Sequence, residues 1–76
     1  MSEMEWLRSF SEKLKKILDD YEMTQEELAI EADISQGTIS RYLNCERMPS
    51  IKSIINIAYV LDCDLDELID VDVMID

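Results

Sequence analysis

The chain lacks several residue types, and each absence narrows its chemistry. It has no histidine, one glycine and one proline in 76 residues. A Cys/His zinc site is therefore excluded, and two cysteines are too few for a zinc site built from sulfur alone. So little glycine and proline argues against a linker-rich or disordered chain. The abundance of leucine, isoleucine, glutamate and lysine instead predicts an all-helical fold.

Membrane, secretion and enzyme signals are also missing. No apolar run approaches the roughly 18 residues of a membrane span, and residues 2–5 are acidic rather than the start of a secretory signal. We therefore expect a cytoplasmic protein without membrane contact, with Cys45 and Cys63 as free thiols. Because there is no Gly-rich phosphate loop and no nucleophile–base pair, we expect neither an enzyme nor a cofactor.

Charge is unevenly distributed along the chain. The formal net charge is −11. Residues 1–34 contribute −6 and residues 62–76 contribute −7, whereas residues 35–61 contribute +2. Long-range attraction to a polyanion comes from basic surface, so the net charge opposes binding to nucleic acid. We therefore expect any contact with nucleic acid in residues 35–61, the only positively biased segment.

Apolar spacing and capping signals predict five helices. The first runs from about Glu3 to Asp20, and the second begins with the capping box Thr24-x-x-Glu27. Caps at Ser35 and Ser50 and a capping box at residues 64–67 begin the other three. Predicted inward positions are Leu7, Phe10, Leu14, Ile17, Leu18 and Tyr21; Leu28, Ala29 and Ala32; Ile39 with Tyr42 or Leu43; Ile51, Ile54, Ile55, Ala58 and Leu61, extended sideways by Ile57 and Val60; and Leu65, Leu68 and Ile69.

Two features of this pattern leave alternatives open. The fourth helix is apolar around so much of its circumference that it lies either at the centre of the core or partly against a second subunit. Trp6 lies off the apolar stripe and is either a partner contact or, more simply, packed over the end of the domain.

Residues 1–70 form one domain. The alternating residues 71–76 form an acidic and apolar tail that either pairs with a second chain or frays.

Residues 24–43 read as two short helices joined by a tight turn at Asp33, where a positive φ is expected. The outward residues of the second of these helices are small and polar. Each alone fits an ordinary polar surface, but the face carries no acid in a chain where nearly a quarter of the residues are acidic. We interpret it as a surface for polyanion contact, typical of a helix that enters a DNA groove. Its residues are Gln36, Gly37, Thr38, Ser40 and Arg41.

Four motifs together resemble the Cro/repressor-like helix-turn-helix family, also called the XRE family. They are residues 23–29 (MTQEELA), 34–42 (ISQGTISRY), 49–51 (PSI) and 65–68 (LDEL), in the family's order and spacing. The resemblance covers residues 14 to 68. It implies a compact five-helix bundle of the lambda-repressor-like type, with helices 2 and 3 forming the helix-turn-helix, and binding to double-stranded DNA.

By position, the resemblance assigns base reading to Gln36, Gly37 and Arg41, with Thr38 and Ser40 beside them. Glutamine can pair bidentately with adenine and arginine with guanine. Phosphate contacts are expected from Gln25 and from Asn44 and Arg47 in the following loop. To these we add the helix start at Ser35, whose backbone amides favour a phosphate, and Lys52 of the positive segment.

Four positions depart from the family pattern. Leu18 and Leu43 stand where many members carry an Arg–Glu ion pair. Replacing such a buried pair with packed apolar side chains is often neutral or stabilising. Gly37 stands where members often carry a long reading side chain, which reduces direct readout. Cys45 occupies a frequent glycine position, so a left-handed conformation is either strained there or shifted to Asn44.

Two functions of different classes follow. The first is a sequence-specific, homodimeric transcriptional regulator that places two reading helices in successive major grooves, about 34 Å apart. The second is a protein-interaction module of antitoxin-like, antirepressor or adaptor type, which uses the acidic tail to bind a basic protein. Retention of a selected DNA sequence separates the two hypotheses.

Overall fold

The structure is a computed structural model, and it describes residues 2–70. Helix α1 spans Glu3–Asp20, α2 Gln25–Ala32, α3 Gln36–Leu43, α4 Ile51–Leu61 and α5 Leu65–Leu68. These residues contain no strand, and the predicted all-helical, five-helix architecture is confirmed. The boundary at residue 70 and the predictions for the tail, residues 71–76, lie outside or at the limit of the described residues.

The helices begin where the side chains can satisfy the first free backbone N–H groups. The Thr24 hydroxyl accepts from the Glu27 N–H, and the Glu27 carboxylate accepts from the Thr24 N–H, each at 3.1 Å. Ser35 and Ser50 each accept from the N–H three residues later, also at 3.1 Å. These bonds confirm the predicted starts of α2, α3 and α4.

The helices pack in a closed arrangement around one core. α3 packs against α1 and α2, α4 against α2 and α5, and α5 against α1. Ala29, 5% exposed, provides a small side chain on the inner face of α2, beside α3. Trp6 is buried and stacks on Phe10 with ring centroids 5.8 Å apart, so the interpretation as a packed residue is correct. The buried hydroxyl of Ser11, which sequence periodicity did not predict, donates to the Tyr42 carbonyl.

Several predicted inward positions are exposed. Ile51 is 68% exposed and Ile55 52%, whereas Ile57, placed at the side of the stripe, is fully buried. The reason is that α4 is covered by α2 and α5 over an arc narrower than its apolar circumference. Leu65 is 44% exposed in the first turn of the short α5, and Tyr21 is 51% exposed because the chain leaves α1 at that residue.

Among residues 2–70, four non-glycine residues adopt positive φ, at values from 50° to 58°: Glu22, Asp33, Cys45 and Asp62. The expected positive φ at Asp33 is confirmed. At the end of α3 the left-handed conformation falls on Cys45, while Asn44 has φ of −95°. The left-handed conformation therefore lies at Cys45 and not at Asn44, and it is strained because Cys45 has a Cβ. The single glycine, Gly37, does not have positive φ.

The end of the described chain is fastened to α1. The Asp70 carboxylate accepts from the Ser9 hydroxyl at 2.5 Å and pairs with the Lys13 ammonium at 2.6 Å. The hydrogen bonds from Lys13 and Ser9 lower the pKa of Asp70 below its ordinary value. Within residues 2–70, no helix is long and apolar enough to cross a membrane.

Candidate nucleic-acid interface

Helix α3 is held by its inner face. Ile39 is 0% exposed, as predicted, and both of the alternatives for the second inward position, Tyr42 and Leu43, are buried, at 2% and 4% exposed. Since residues three and four apart lie on the same side of a helix, the opposite side of α3 faces solvent. The structure leaves Gln36, Gly37 and Arg41 exposed on that side and Thr38 and Ser40 half-buried. The five predicted base-reading residues therefore share one accessible helix surface.

Their hydrogen-bonding capacity is unequal. The hydroxyls of Ser35 and Thr38 lie 2.7 Å apart, and Ser35 also caps the helix. Asn44 donates from Nδ2 to Ser40 Oγ at 3.5 Å, a long contact. Gln36 and Arg41 make no side-chain hydrogen bond to residues 2–70, so these two side chains are free to pair with an external group.

Gly37 creates open space beside Arg41. A Cβ placed on Gly37 would meet one atom within 4 Å, the Nη1 of Arg41 at 4.0 Å. The guanidinium thus reaches back over the first turn of α3, the direction that helical side chains favour. Gln36 lies in that same turn. The two strongest base-pairing groups are consequently gathered at the N-terminal end of the helix.

The predicted phosphate contacts are all exposed but belong to separate elements. Gln25 is the first residue of α2 and Ser35 caps α3, so both stand at helix N-termini, where backbone N–H groups favour anions. Asn44 caps the end of α3, Arg47 lies in the loop that follows, and Lys52 lies in the first turn of α4. No measured contact joins these five side chains into one cluster.

Lys15 of α1 lies near the predicted phosphate-contacting residue Gln25. The two line one depression beside the start of α2, together with Asp19, Thr24 and Leu43. Periodicity along α1 did not indicate this neighbour, because it does not show which side chain of another helix lies opposite. Lys15 has no ion pair within residues 2–70, where the one ion pair joins Lys13 and Asp70.

Acidic groups limit the surface on one side. Glu26 and Asp33 line the depression between α2 and α3, together with Ile30 and Gln36. The absence of acids is therefore a property of α3 itself and not of the whole helix-turn-helix. An approaching polyanion would be attracted by Arg41 and the positive segment 35–61 and repelled by Glu26 and Asp33, which lie next to the predicted phosphate contacts Gln25 and Ser35.

Cys63 and the acids around it belong to the segment that joins α4 to α5. Burial is the largest cause that raises the pKa of the Cys63 thiol, with further contributions from Glu67, Asp64 and Asp62. Within the described part of the chain, no group of three or more histidine, cysteine or acidic residues could hold a metal ion.

Three comparisons place this geometry among known proteins. The model of the Cro/C1-type HTH DNA-binding domain matches residues 13–72. The HTH-type transcriptional regulator YqaE of Bacillus subtilis strain 168, described as uncharacterized, is 37% identical over 60 residues. That match covers 79% of this chain and 52% of YqaE, so the chain spans about half the length of this relative.

The fold is also similar to a solved structure. The restriction-modification controller protein C.AhdI from Aeromonas hydrophila superposes with a TM-score of 0.78 at 24% identity, over 82% of this chain and 94% of that one. At this identity the likeness concerns the fold. The family match and the regulator relative favour the DNA-binding hypothesis over the protein-interaction module.

Proposed function

The chain belongs to the family of Cro/C1-type HTH DNA-binding domains, and we propose that it is a sequence-specific transcriptional regulator that binds double-stranded DNA as a homodimer and reads the major groove with α3. One observation carries the proposal: the solvent face of α3 has no acid and presents Arg41 and Gln36 without internal partners, in a chain of net charge −11.

Base reading is proposed to rest on Arg41 and Gln36. The guanidinium offers two parallel N–H donors to guanine O6 and N7, and the Gln36 amide offers a donor and an acceptor to adenine, each worth about 1 to 3 kcal/mol of discrimination. Thr38 and Ser40 are half-buried and already hydrogen-bonded, so their role is apolar contact or a hydroxyl contact at the edge of the site. Gly37 contributes close approach rather than a side chain.

Phosphate contacts position α3 in the groove. The N-termini of α2 and α3, at Gln25 and Ser35, would each hold a backbone phosphate. Lys15 joins Gln25 in this role because the two line one depression. Asn44, Arg47 and Lys52 would contact the backbone at the other end of α3. These contacts orient the domain and carry no sequence information by themselves.

Selection from random duplex DNA tests the proposal. The purified chain should enrich one sequence with two related half-sites about one helical turn apart, as expected of a two-fold dimer. Arg41→Ala should lower affinity for that sequence at least about fivefold, the loss of one good bidentate contact. Arg8→Ala removes the same charge from an exposed position of α1 and serves as the matched control.

The salt dependence of DNA binding distinguishes base-specific contacts from attraction between charges. Affinity of the unmodified chain should fall linearly on a log–log plot of binding constant against salt, with a slope near −0.9 per phosphate neutralised. Arg41→Ala should relax the preference at one base pair of each half-site, and Arg8→Ala should leave the preferred sequence unchanged. The proposal fails if no sequence is enriched at low salt, or if the two arginine variants bind identically.

A further inference from the structure

Gly37 and Arg41 border a small open space on the solvent face of α3, and we call it the Gly37 gap. The two residues are four positions apart, so they lie on the same side of the helix. A Cβ placed on Gly37 would lie 4.0 Å from Nη1 of Arg41, an ordinary van der Waals distance. The gap therefore accommodates one methyl-sized group in contact with the guanidinium.

The fold does not require a glycine at this position. Gly37 has no positive φ, and an added Cβ would come no closer than 4.0 Å to the one side-chain atom that it meets. Glycine is less favourable than alanine in a helix, so the missing methyl group lowers the stability of α3. The gap is therefore best explained by a group that approaches α3 from outside.

Few polar groups border the gap. The hydroxyls of Ser35 and Thr38 lie 2.7 Å apart, and the Ser35 hydroxyl also accepts from the Thr38 N–H, so both are engaged within the first turn. The free backbone N–H groups of that turn point along the helix axis. Gln36 projects from another side, about 100° around the helix from Gly37. The Gly37 Cα and the Arg41 guanidinium remain as the borders, and an apolar group of methyl size suits this space.

We propose that the Gly37 gap receives the 5-methyl group of a pyrimidine, in the base pair next to the guanine that Arg41 reads. The inference rests on the proposed function and adds a second recognised group to the same site. An arginine bound to O6 and N7 of guanine lies in the plane of that base, and the next base pair is stacked about 3.4 Å away. The groove edge of that pair therefore faces the guanidinium and the gap beside it.

The chemistry of the major groove identifies the group. Among the groups that base pairs present there, the C5-methyl of thymine is the apolar one, and the others donate or accept hydrogen bonds. It would pack against the Gly37 Cα and the flat face of the Arg41 guanidinium, whose N–H donors lie in its plane. 5-Methylcytosine carries the same methyl group at the same ring position. Selection from unmodified DNA should therefore place an A·T pair directly beside the guanine of each half-site.

Removal of single methyl groups from the selected DNA tests the inference. Deoxyuridine in place of that thymine removes only the methyl group, and we expect the unmodified chain to bind a single half-site about fourfold more weakly, the contribution of one buried CH₂-sized group. In a second pair of duplexes, 5-methylcytosine should bind more tightly than cytosine at the same position by a similar factor. This pair separates recognition of the methyl group from recognition of the rest of the A·T pair. Deoxyuridine at a thymine outside the half-site is the control and should change nothing.

Gly37→Ala supplies a methyl group from the protein side. Its Cβ would occupy the gap, so the preference for thymine over uracil should disappear. On the uracil duplex, Gly37→Ala should bind about as well as the unmodified chain does. Arg8→Ala, an exposed substitution in α1, is the matched control and should keep the fourfold preference for thymine.

Three results would overturn the inference. The first is equal binding of the thymine and uracil duplexes by the unmodified chain, a comparison that depends on no variant. The second is a selected sequence without thymine beside a guanine in its half-sites. The third is a loss of affinity in Gly37→Ala that is the same on thymine and uracil DNA, since Gly37 would then approach the sugar–phosphate backbone.

This inference and the proposed function fail in different ways. If no sequence is enriched at low salt, the proposed function is contradicted and this inference with it. If a sequence is enriched and Arg41→Ala weakens its binding, but thymine and uracil duplexes bind equally, the proposed function stands and the methyl contact alone is refuted.

Discussion

Gly37→Ala should make the protein more stable and weaken its proposed DNA binding. Gly37 has no structural reason to be glycine: its φ is not positive, and an added Cβ would come no closer than 4.0 Å to a single side-chain atom. Glycine in a helix is costly because the unfolded chain is more flexible. Gly37, which destabilises the helix, lies at the exposed centre of the proposed reading surface.

The magnitude follows from the helix position and the open space. Glycine is about 0.8–1.0 kcal/mol less favourable than alanine in a helix interior, and Gly37 lies in the first turn of α3, so we expect a gain of roughly 0.5 kcal/mol. In a domain of this size about 1 kcal/mol shifts the melting temperature by 4–8 °C, which predicts a rise of about 2–4 °C. On DNA, one methyl group added to a closely packed surface costs about 1–3 kcal/mol, or at least a fivefold loss of affinity.

Thermal unfolding and DNA titration, on the same samples, check both halves of this prediction. Glu22→Gly is the control, because it should also raise stability while lying outside α2 and α3. It removes a negative charge, so its affinity for DNA should hold or increase. If Gly37→Ala binds the selected DNA as well as the unmodified chain, then α3 does not approach a partner closely at Gly37. If it lowers stability, the helical account of Gly37 is wrong.

Two further predictions concern stability alone. Glu22→Gly relieves a left-handed backbone at φ of 53°. A Cβ in that conformation costs about 1–2 kcal/mol, and the greater flexibility of glycine in the unfolded chain offsets part of the gain from removing it. We therefore expect the substitution to raise the free energy of unfolding by about 0.5–1 kcal/mol in denaturant titration; an unchanged midpoint would contradict this. Asp70→Asn removes a carboxylate whose pKa is lowered by Lys13 and Ser9. The contribution of that carboxylate to folding stability is present above the unfolded pKa of about 3.9 and is lost as the pH falls through the lower folded pKa. We expect Asp70→Asn to lower stability at neutral pH by under about 1 kcal/mol, because the pair is partly exposed, and the difference between the two unfolding curves to disappear as the pH falls through the lowered folded pKa of Asp70; a difference that does not change with pH would refute the assignment.

Local signals predicted the helices well, because capping chemistry lies within a few residues of each helix start. Thr24, Ser35 and Ser50 are each a hydrogen-bonding cap in the structure, as their sequence context indicated. The inner face of α3 was also predicted correctly, since Ile39, Tyr42 and Leu43 are the only large apolar residues of that helix. In both cases one short segment contains all the information.

Predictions failed where burial depends on which other helix lies opposite. The apolar residues of α4 surround most of the helix, so periodicity could not tell that Ile57 is buried and Ile51 exposed. The proximity of Lys15 to Gln25 and the bond between Ser11 and Tyr42 depend on how α1 crosses other helices. The roles of the proposed base-reading residues stay predictions, because they concern a partner outside the chain.

The acidic character of the chain has a specific consequence for DNA selection. Non-specific binding comes almost entirely from the phosphate charge and the summed charge of the protein, whereas discrimination among sequences comes from contacts at the base edges. A net charge of −11 therefore opposes binding to every sequence, whereas the base contacts proposed for Arg41 and Gln36 would act only where the correct bases lie opposite α3. Replacing an exposed acid of α1, such as Glu12, with glutamine should then raise affinity for random DNA at least as much as affinity for the selected sequence, so the specificity ratio should not increase. We therefore propose that the negative charge suppresses binding to incorrect sites, and it is not by itself an argument against binding to DNA.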